Sequence, residues 1–285
     1  MRLWAHGLGI TTAAAGIVLL TVLPFLAGPY DSLALPLSTM CRVFGVVGLV
    51  LLVPVGAAWA ACGYSNRLAR RQYGIAVAAL IVTSLVWVVV VVLTAALASG
   101  PLLALAAIVV WACAVSRTLP HLRPLRSATP QATSAAAFYL LLVPVAVAIA
   151  QRGLVAPAIE SSRNRAIQNS APLIAEIERY RAAQGRYPPS LLSNATDQYK
   201  PGVIGIEKYH YEPHEDAYNL IFEQGALHFG TQEFVVYNPR DRQVVTVHLQ
   251  DLLELTPEQL ALERTRGHYA VHDAGPPHWK YFWFD

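Results

Sequence analysis

The chain has 285 residues, of which 55% are hydrophobic and only 14% charged, an imbalance outside the usual range of soluble globular proteins. Its net charge of +3 averages two unlike parts: residues 1–158 carry nine arginines, no lysine and one acid, whereas residues 159–285 carry twelve basic and seventeen acidic side chains. The mild basicity therefore does not indicate a nucleic-acid-binding protein, and we expect no nucleic-acid partner.

Five apolar segments dominate the first part of the chain. A helix needs about 20 apolar residues to cross the hydrocarbon core of a bilayer. The segments that we predict to do so are residues 7–28, 43–63, 74–99, 101–117 and 135–152. We therefore predict a five-helix transmembrane domain over residues 1–151, surrounded by lipid, with a cleaved signal peptide as the alternative for the first segment. The uninterrupted apolar runs inside these segments contain no Asp, Glu, Lys, Arg or His, which disfavours ion-coupled transport. These runs are Gly7–Gly28, Val43–Gly63, Gly74–Ser99, Leu102–Ser116 and Ala135–Ala150. Three prolines, Pro24, Pro54 and Pro144, are predicted to kink their helices.

The arginines between the spans predict an orientation. They lie before the first span, after the second and after the fourth, at Arg2, at Arg67, Arg70 and Arg71, and at Arg117, Arg123 and Arg126. Because short cytoplasmic loops accumulate basic residues, these three groups place the N-terminus in the cytoplasm. Residues 152–285 then form a domain outside the membrane, and this domain contains no cysteine, so disulfides do not hold it together.

The second domain begins with a long amphipathic helix. Apolar residues recur at helical spacing between residues 159 and 184, at Ile167, Ala171, Ile174, Ile177 and Tyr180. Pro172 is predicted either to kink this helix or to mark a restart capped by Asn169 or Ser170. Gly185 is predicted to end the helix in a left-handed conformation.

Alternating residues then predict strands. The predicted strands are Lys208–Glu212, Tyr218–Phe222, Phe234–Tyr237 and Val244–Leu249, with turns at residues 213–216 and 238–241 and a last strand within His278–Asp285 at the sheet edge. We expect an antiparallel meander that buries one face against the helix. Residues 152–285 are therefore predicted to be an α+β domain.

One phrase in this domain resembles a known family. In "IERYRAAQGRYPPSL", Tyr180 is followed by Gly185, Arg186, Tyr187 and Pro188. This resembles the heads of type IV pilins and type II secretion pseudopilins, in which a similar phrase closes a long helix. The resemblance implies a pilin-like fold, a bacterial inner membrane, a periplasmic head and a function based on protein contacts. The segment before the fifth span has neither the cleavage-site glycine nor the glutamate of prepilins, so processing and filament assembly are not implied.

Two histidine clusters are the candidates for metal binding. His210 and His214 flank an acidic turn, and His268 and His272 lie near the C-terminus. A solvated turn and an ordinary loop are the alternative interpretations of these clusters. No catalytic motif, cofactor-binding motif or phosphate-binding loop occurs in the chain, so we predict no catalytic residue and no cofactor.

Three functions follow from these patterns. The first is a non-enzymatic, multi-pass membrane protein whose periplasmic pilin-like head docks an envelope, secretion or pilus protein. The second is a membrane sensor whose head binds a small ligand. The third is a metal-dependent envelope enzyme that uses the C-terminal histidines.

Overall fold

The computed structural model describes residues 2–54, 56–57, isolated positions between 74 and 116, and residues 135–191, 199–214, 216–227, 231–241 and 271–284. The chain divides into two compact units. The first comprises Met1–Val22 and Leu33–Val155, and the second comprises Leu23–Ser32 and Ala156–Asp285. The predicted Val244–Leu249 strand lies outside the described residues.

Helices make up the described part of the first unit. Helix α1 is Arg2–Val22, helix α2 is Ala34–Val47 followed by a π-helical turn at Gly48–Leu52, and helix α3, Ala135–Gln184, contributes its first turns. Within the described residues, two helices are long and apolar enough to cross a membrane, His6–Phe25 and Ala137–Gln184, and Ala34–Val50 is a shorter apolar helix. Of the predicted spans 74–99 and 101–117, only isolated positions are described, and these are helical.

The first two predicted spans differ from the observed helices. Helix α1 ends at Val22, and Pro24 lies in the 3-10 turn that follows, because proline has no N–H to continue a helix. Helix α2 begins at Ala34, well before residue 43, so Arg42 lies inside it. The observed helices therefore differ from the predicted spans in their bounds: the apolar helix His6–Phe25 covers most of residues 7–28, and α2 starts nine residues before residue 43.

Close packing joins α2 to α3 within the first unit. A Cβ on Gly48 would come 2.9 Å from the ring of Pro144, and one on Gly56 would come 2.9 Å from the α3 backbone. The side-chain amide of Gln151 donates to the carbonyl of Cys41 at 2.9 Å. Small residues and an interhelical hydrogen bond are the features that hold helices together in lipid.

The second unit contains the rest of α3, which is one uninterrupted helix through Pro144, Pro157 and Pro172. The predicted restart at residues 169–170 is wrong, because the side chains that would cap it are engaged elsewhere. Asn169 donates to the carbonyl of Pro201 at 2.6 Å, and Ser170 donates to that of Ile167 at 2.6 Å. An interior proline such as Pro172 costs about 3 kcal/mol relative to alanine, and burial of the neighbouring Leu173 and Ile177 against the sheet offsets this cost.

That sheet has five antiparallel strands. They are β1 (His210–Pro213), β2 (Tyr218–Gly225), β3 (Gln232–Tyr237), β4 (His272–Asp273) and β5 (Trp279–Phe284), in the order β1-β2-β3-β5-β4. The α+β class predicted for this part of the chain is confirmed. Strand β3 lies between β2 and β5. The aromatic C-terminal strand forms as predicted, but β4 lies outside it at the edge of the described sheet.

The main core lies between α3 and the sheet. Leu173 and Ile177 are fully buried there, whereas Ala171 and Tyr180 of the predicted apolar stripe are exposed. The buried face of α3 is rotated from the prediction because it includes small and polar residues that hydropathy does not select. The core residues from both sides are Ala166, Ile167, Leu173, Ile177, Tyr218, Leu220, Phe222, Val235 and Trp279.

The Gly-Arg-Tyr-Pro phrase anchors the end of α3. Gly185 has φ +71° and its N–H donates to Arg181 at 2.8 Å, as predicted for a left-handed helix end. Tyr187 is buried with its ring 5.0 Å from that of Tyr218, and its hydroxyl accepts a 2.6 Å bond from Arg181. This phrase therefore turns the chain and packs its tyrosine into the core.

The α1–α2 connection, Leu23–Ser32, is docked on the second unit; we call it the docked loop. Its backbone exchanges hydrogen bonds with residues 202–205: Gly28 donates to Gly202 at 3.1 Å, and Gly205 donates to Pro24 at 2.7 Å. Ala27 pairs with Val203 in an antiparallel bridge. Phe25 is only 4% exposed. The docked loop is thus an integral part of this unit.

Candidate functional site

The predicted metal candidates do not converge among the described residues. His210 is exposed on β1 and His214 is exposed in the turn after it, while His268 lies outside the described residues. His272 is on β4, with its ring stacked 5.0 Å from Tyr281 and 4.5 Å from Trp283. Within the described part of the chain, no group of three His, Cys, Asp or Glu residues is placed to hold a metal ion.

A buried ion pair lies between α3 and the sheet of the second unit. Glu233 shares the α3-facing side of β3 with Val235 and Tyr237, because side chains alternate along a strand, and it is 1% exposed. Arg163 is on the sheet-facing side of α3 and is 9% exposed. Its Nε and Nη2 donate to the two oxygens of Glu233 at 2.7 and 2.9 Å. This two-point contact fixes α3 on the sheet.

The neighbouring strands complete the hydrogen bonding of Glu233. Gln224 and Trp283 are its cross-strand partners in the register. The Gln224 amide donates to Glu233 at 2.7 Å, and the Trp283 indole donates at 3.2 Å. Ser162 of α3 donates to the Gln224 carbonyl oxygen at 2.7 Å. The carboxylate is therefore held by groups from α3, β2 and β5 at once, as a buried charge requires.

Burial and pairing act in opposite directions on Arg163. Burial lowers the pKa of Arg163. The hydrogen bond and the attraction to Glu233 raise it by a larger amount, so the pKa lies above the ordinary value. The guanidinium carbon lies 3.6 Å from the centre of the Tyr281 ring, a cation–π contact. Arg163 therefore stays charged.

A groove opens beside this pair, between α3 and the β4–β5 turn; we call it the Arg163 groove. Its volume is about 740 Å³, within the range of small-molecule sites. Its lining residues are Ala156, Glu160, Arg163, Asn164, Gln168, Asp273, Ala274, Gly275, Pro276 and Tyr281. Two carboxylates, two amides and one guanidinium thus face one cavity. This is the best candidate for a binding site in the described part of the chain.

The sequence did not reveal this site. Arg163 precedes the apolar stripe that we predicted, and Glu233 precedes the predicted strand that starts at Phe234. One signal was present: Glu233 shares the period of two with Val235 and Tyr237, and an acid on an inward face requires a buried cationic or hydrogen-bonding partner.

Comparisons with protein families, with curated proteins and with solved structures find no match to this chain. The functional argument therefore rests on the residues and on the geometry described above.

Proposed function

We propose that this chain is a non-enzymatic, multi-pass membrane protein that holds an α+β head outside the cytoplasm to dock an envelope protein. The observation that carries the membrane topology of this proposal is the docked loop. It connects the two apolar helices α1 and α2, and it is hydrogen-bonded to residues 202–205 of the head. The outer end of the α1–α2 hairpin and the head are then on one side of the membrane.

The same contact constrains the number of spans. With α1, α2 and the first part of α3 as spans, the docked loop and the head share a side only when an even number of further spans separates α2 from α3. The predicted spans 74–99 and 101–117 supply two. The five-span topology deduced from the arginines meets this condition, and the cytoplasmic N-terminus that we propose follows from the arginines.

The surfaces of the first-unit helices support a lipid environment. Leu8, Val50 and Ile149 are 70%, 66% and 69% exposed. Exposed apolar side chains on this scale are costly in water and favourable in hydrocarbon. Bilayer lipid is therefore the surroundings that we propose for these helices.

The head's resemblance to pilins and pseudopilins supports docking as its activity. The long helix on an antiparallel sheet and the turn after Gly185 fit the resemblance carried by Tyr187 and Pro188. Heads of that family act through protein contacts. We therefore propose a secretion, pilus or other envelope protein as the partner, in the periplasm of a bacterial inner membrane.

Proximity labelling from the head tests the docking function. A labelling enzyme active outside the cytoplasm is fused to the C-terminus of the full chain, and the same enzyme fused to a chain ending after Arg152 is the control. We expect one or a few envelope proteins to be enriched only with the full chain. Identical labelling by the two fusions would contradict the proposal.

A second function, a membrane sensor that binds a small ligand through its head, is favoured by the Arg163 groove. The groove presents both hydrogen-bond donors and acceptors, and it lies within a single unit of the fold. Protection of residues 273–281 from amide exchange on ligand addition is the measurement that tests ligand binding there.

A further inference from the structure

We propose that the Arg163 groove binds an ammonium group carried on a hydroxyl-rich frame, the chemistry of an amino sugar. This inference rests on the second function above, ligand binding by the head. It adds the chemical class of the ligand, which follows from the charge and the hydrogen-bonding capacity of the lining.

The Arg163 guanidinium in the lining of the groove favours a neutral hydrogen-bond acceptor on the ligand. Arg163 is nine-tenths buried and uses Nε and Nη2 for Glu233. Its Nη1 donates to no residue in the described part of the chain, although Arg163 lines the groove. Because Glu233 already balances the charge of this guanidinium, its remaining N–H groups suit an uncharged oxygen, such as a hydroxyl, better than a second carboxylate.

The carboxylates in the lining favour a cationic group on the ligand. Glu160 and Asp273 contribute carboxylates to the lining, and Arg163, already paired with Glu233, is the single basic residue among the lining residues. One oxygen of Asp273 accepts the N–H of Gly275 at 2.8 Å, which leaves its other oxygen for a ligand. Carboxylates therefore outnumber cations in the lining, and an ammonium group would be attracted to them.

The side-chain amides in the lining favour hydroxyl groups on the ligand. Asn164 and Gln168 each present an amide that donates and accepts, and a hydroxyl does the same. A volume of about 740 Å³ accommodates a sugar ring with substituents. An anionic ligand would meet Glu160 and Asp273 unfavourably, and an apolar ligand would leave the Arg163 and amide groups unpaired.

Calorimetric titration of the full chain in lipid nanodiscs provides the test. Three probes separate the features: D-glucosamine has the ammonium and the hydroxyls, D-glucose lacks the ammonium, and cyclohexylamine lacks the hydroxyls. We expect glucosamine to bind at least about tenfold more tightly than either of the others. The Glu160→Gln/Asp273→Asn double variant should lose that preference, because both changes keep the side-chain shape and remove the charge.

The matched control is Glu223→Gln, an exposed glutamate on β2 outside the groove, which should bind glucosamine as the native chain does. Glutamate is included as an anionic probe. A different result is that glucose, cyclohexylamine or glutamate binds at least as tightly as glucosamine and protects residues 273–281 from exchange. That result would overturn the proposed ligand class, but the head would still be shown to bind a ligand. No heat and no protection with any probe would overturn the ligand class and count against the sensor function as well.

Discussion

At the scale of single residues, we expect the charge of Glu233 to contribute strongly to the stability of the fold. Glu233→Gln keeps the shape of the side chain but leaves the Arg163 guanidinium buried without its counter-ion. Breaking a buried ion pair from one side costs about 3–5 kcal/mol. We therefore expect a clear fall in the thermal unfolding midpoint of the detergent-solubilised chain, followed by the fluorescence of its tryptophans.

The control for this prediction is Glu223→Gln, because Glu223 is exposed on the neighbouring strand. This control should change the free energy of unfolding by no more than about 0.5 kcal/mol, and the midpoint should stay close to the native value. An Arg163→Met/Glu233→Leu double variant should recover much of the lost stability, since an apolar pair of similar size often replaces a buried ion pair without loss. Equal destabilisation by the two glutamine variants would show that the pair contributes nothing.

Residues that act through local backbone chemistry could be predicted from the sequence, and residues that act through partners could not. Gly185 could be assigned because a helix end followed by two prolines needs a left-handed residue. Arg163 and Glu233 are 70 positions apart, and no local pattern indicates that they meet. The same holds for His272, which is stacked on Tyr281 and Trp283, whereas its sequence neighbours indicated a loop.

At the scale of elements, the docked loop depends on the absence of a side chain at residue 205. A Cβ on Gly205 would come 2.7 Å from the carbonyl oxygen of Pro24, closer than packed atoms tolerate. We therefore expect Gly205→Ala to weaken the docking by about 1–3 kcal/mol. Amide hydrogen exchange over residues 24–31, read by mass spectrometry, should accelerate about tenfold or more.

Gly153→Ala provides the comparison, because a Cβ there meets no atom within 4 Å and alanine favours the helix. Exchange over residues 24–31 should be unchanged in this variant. Native protection of this segment in Gly205→Ala would show that the loop does not depend on the close approach of the two backbones.

The element boundaries show where sequence patterns stop being informative. Alternation located β2 and β3 because each strand has apolar residues on the face toward α3. It did not give the strand order, since β3 pairs with the distant C-terminal β5. Likewise, proline chemistry indicated a break at Pro172, but packing of α3 on the sheet outweighs that local preference.

At the scale of the whole molecule, the change in composition near residue 158 almost coincides with the boundary between the two compact units at Val155. The docked loop is the exception, because it lies in the first part of the sequence but belongs to the second unit. Composition could not anticipate this exchange, because the first six residues of the loop continue the apolar run of the predicted span 7–28. The loop is held by backbone hydrogen bonds to residues 202–205, and such bonds require no particular side-chain pattern in the sequence. The proposed topology is thereby tied to a contact that experiment can trap.

A disulfide between residues 27 and 203 would trap it. Ala27 and Val203 face each other in an antiparallel bridge flanked by the Gly28–Gly202 and Ile204–Leu26 hydrogen bonds, a pairing with Cα atoms about 4.5 Å apart, within reach of a disulfide. In a background with Cys41, Cys62 and Cys113 changed to serine, Ala27→Cys/Val203→Cys should oxidise spontaneously in an oxidising compartment. With a protease site inserted after Arg126, the two fragments should stay linked until they are reduced. Either single cysteine variant should give separate fragments, and separate fragments from the double variant would contradict both the docking and the shared side of the membrane.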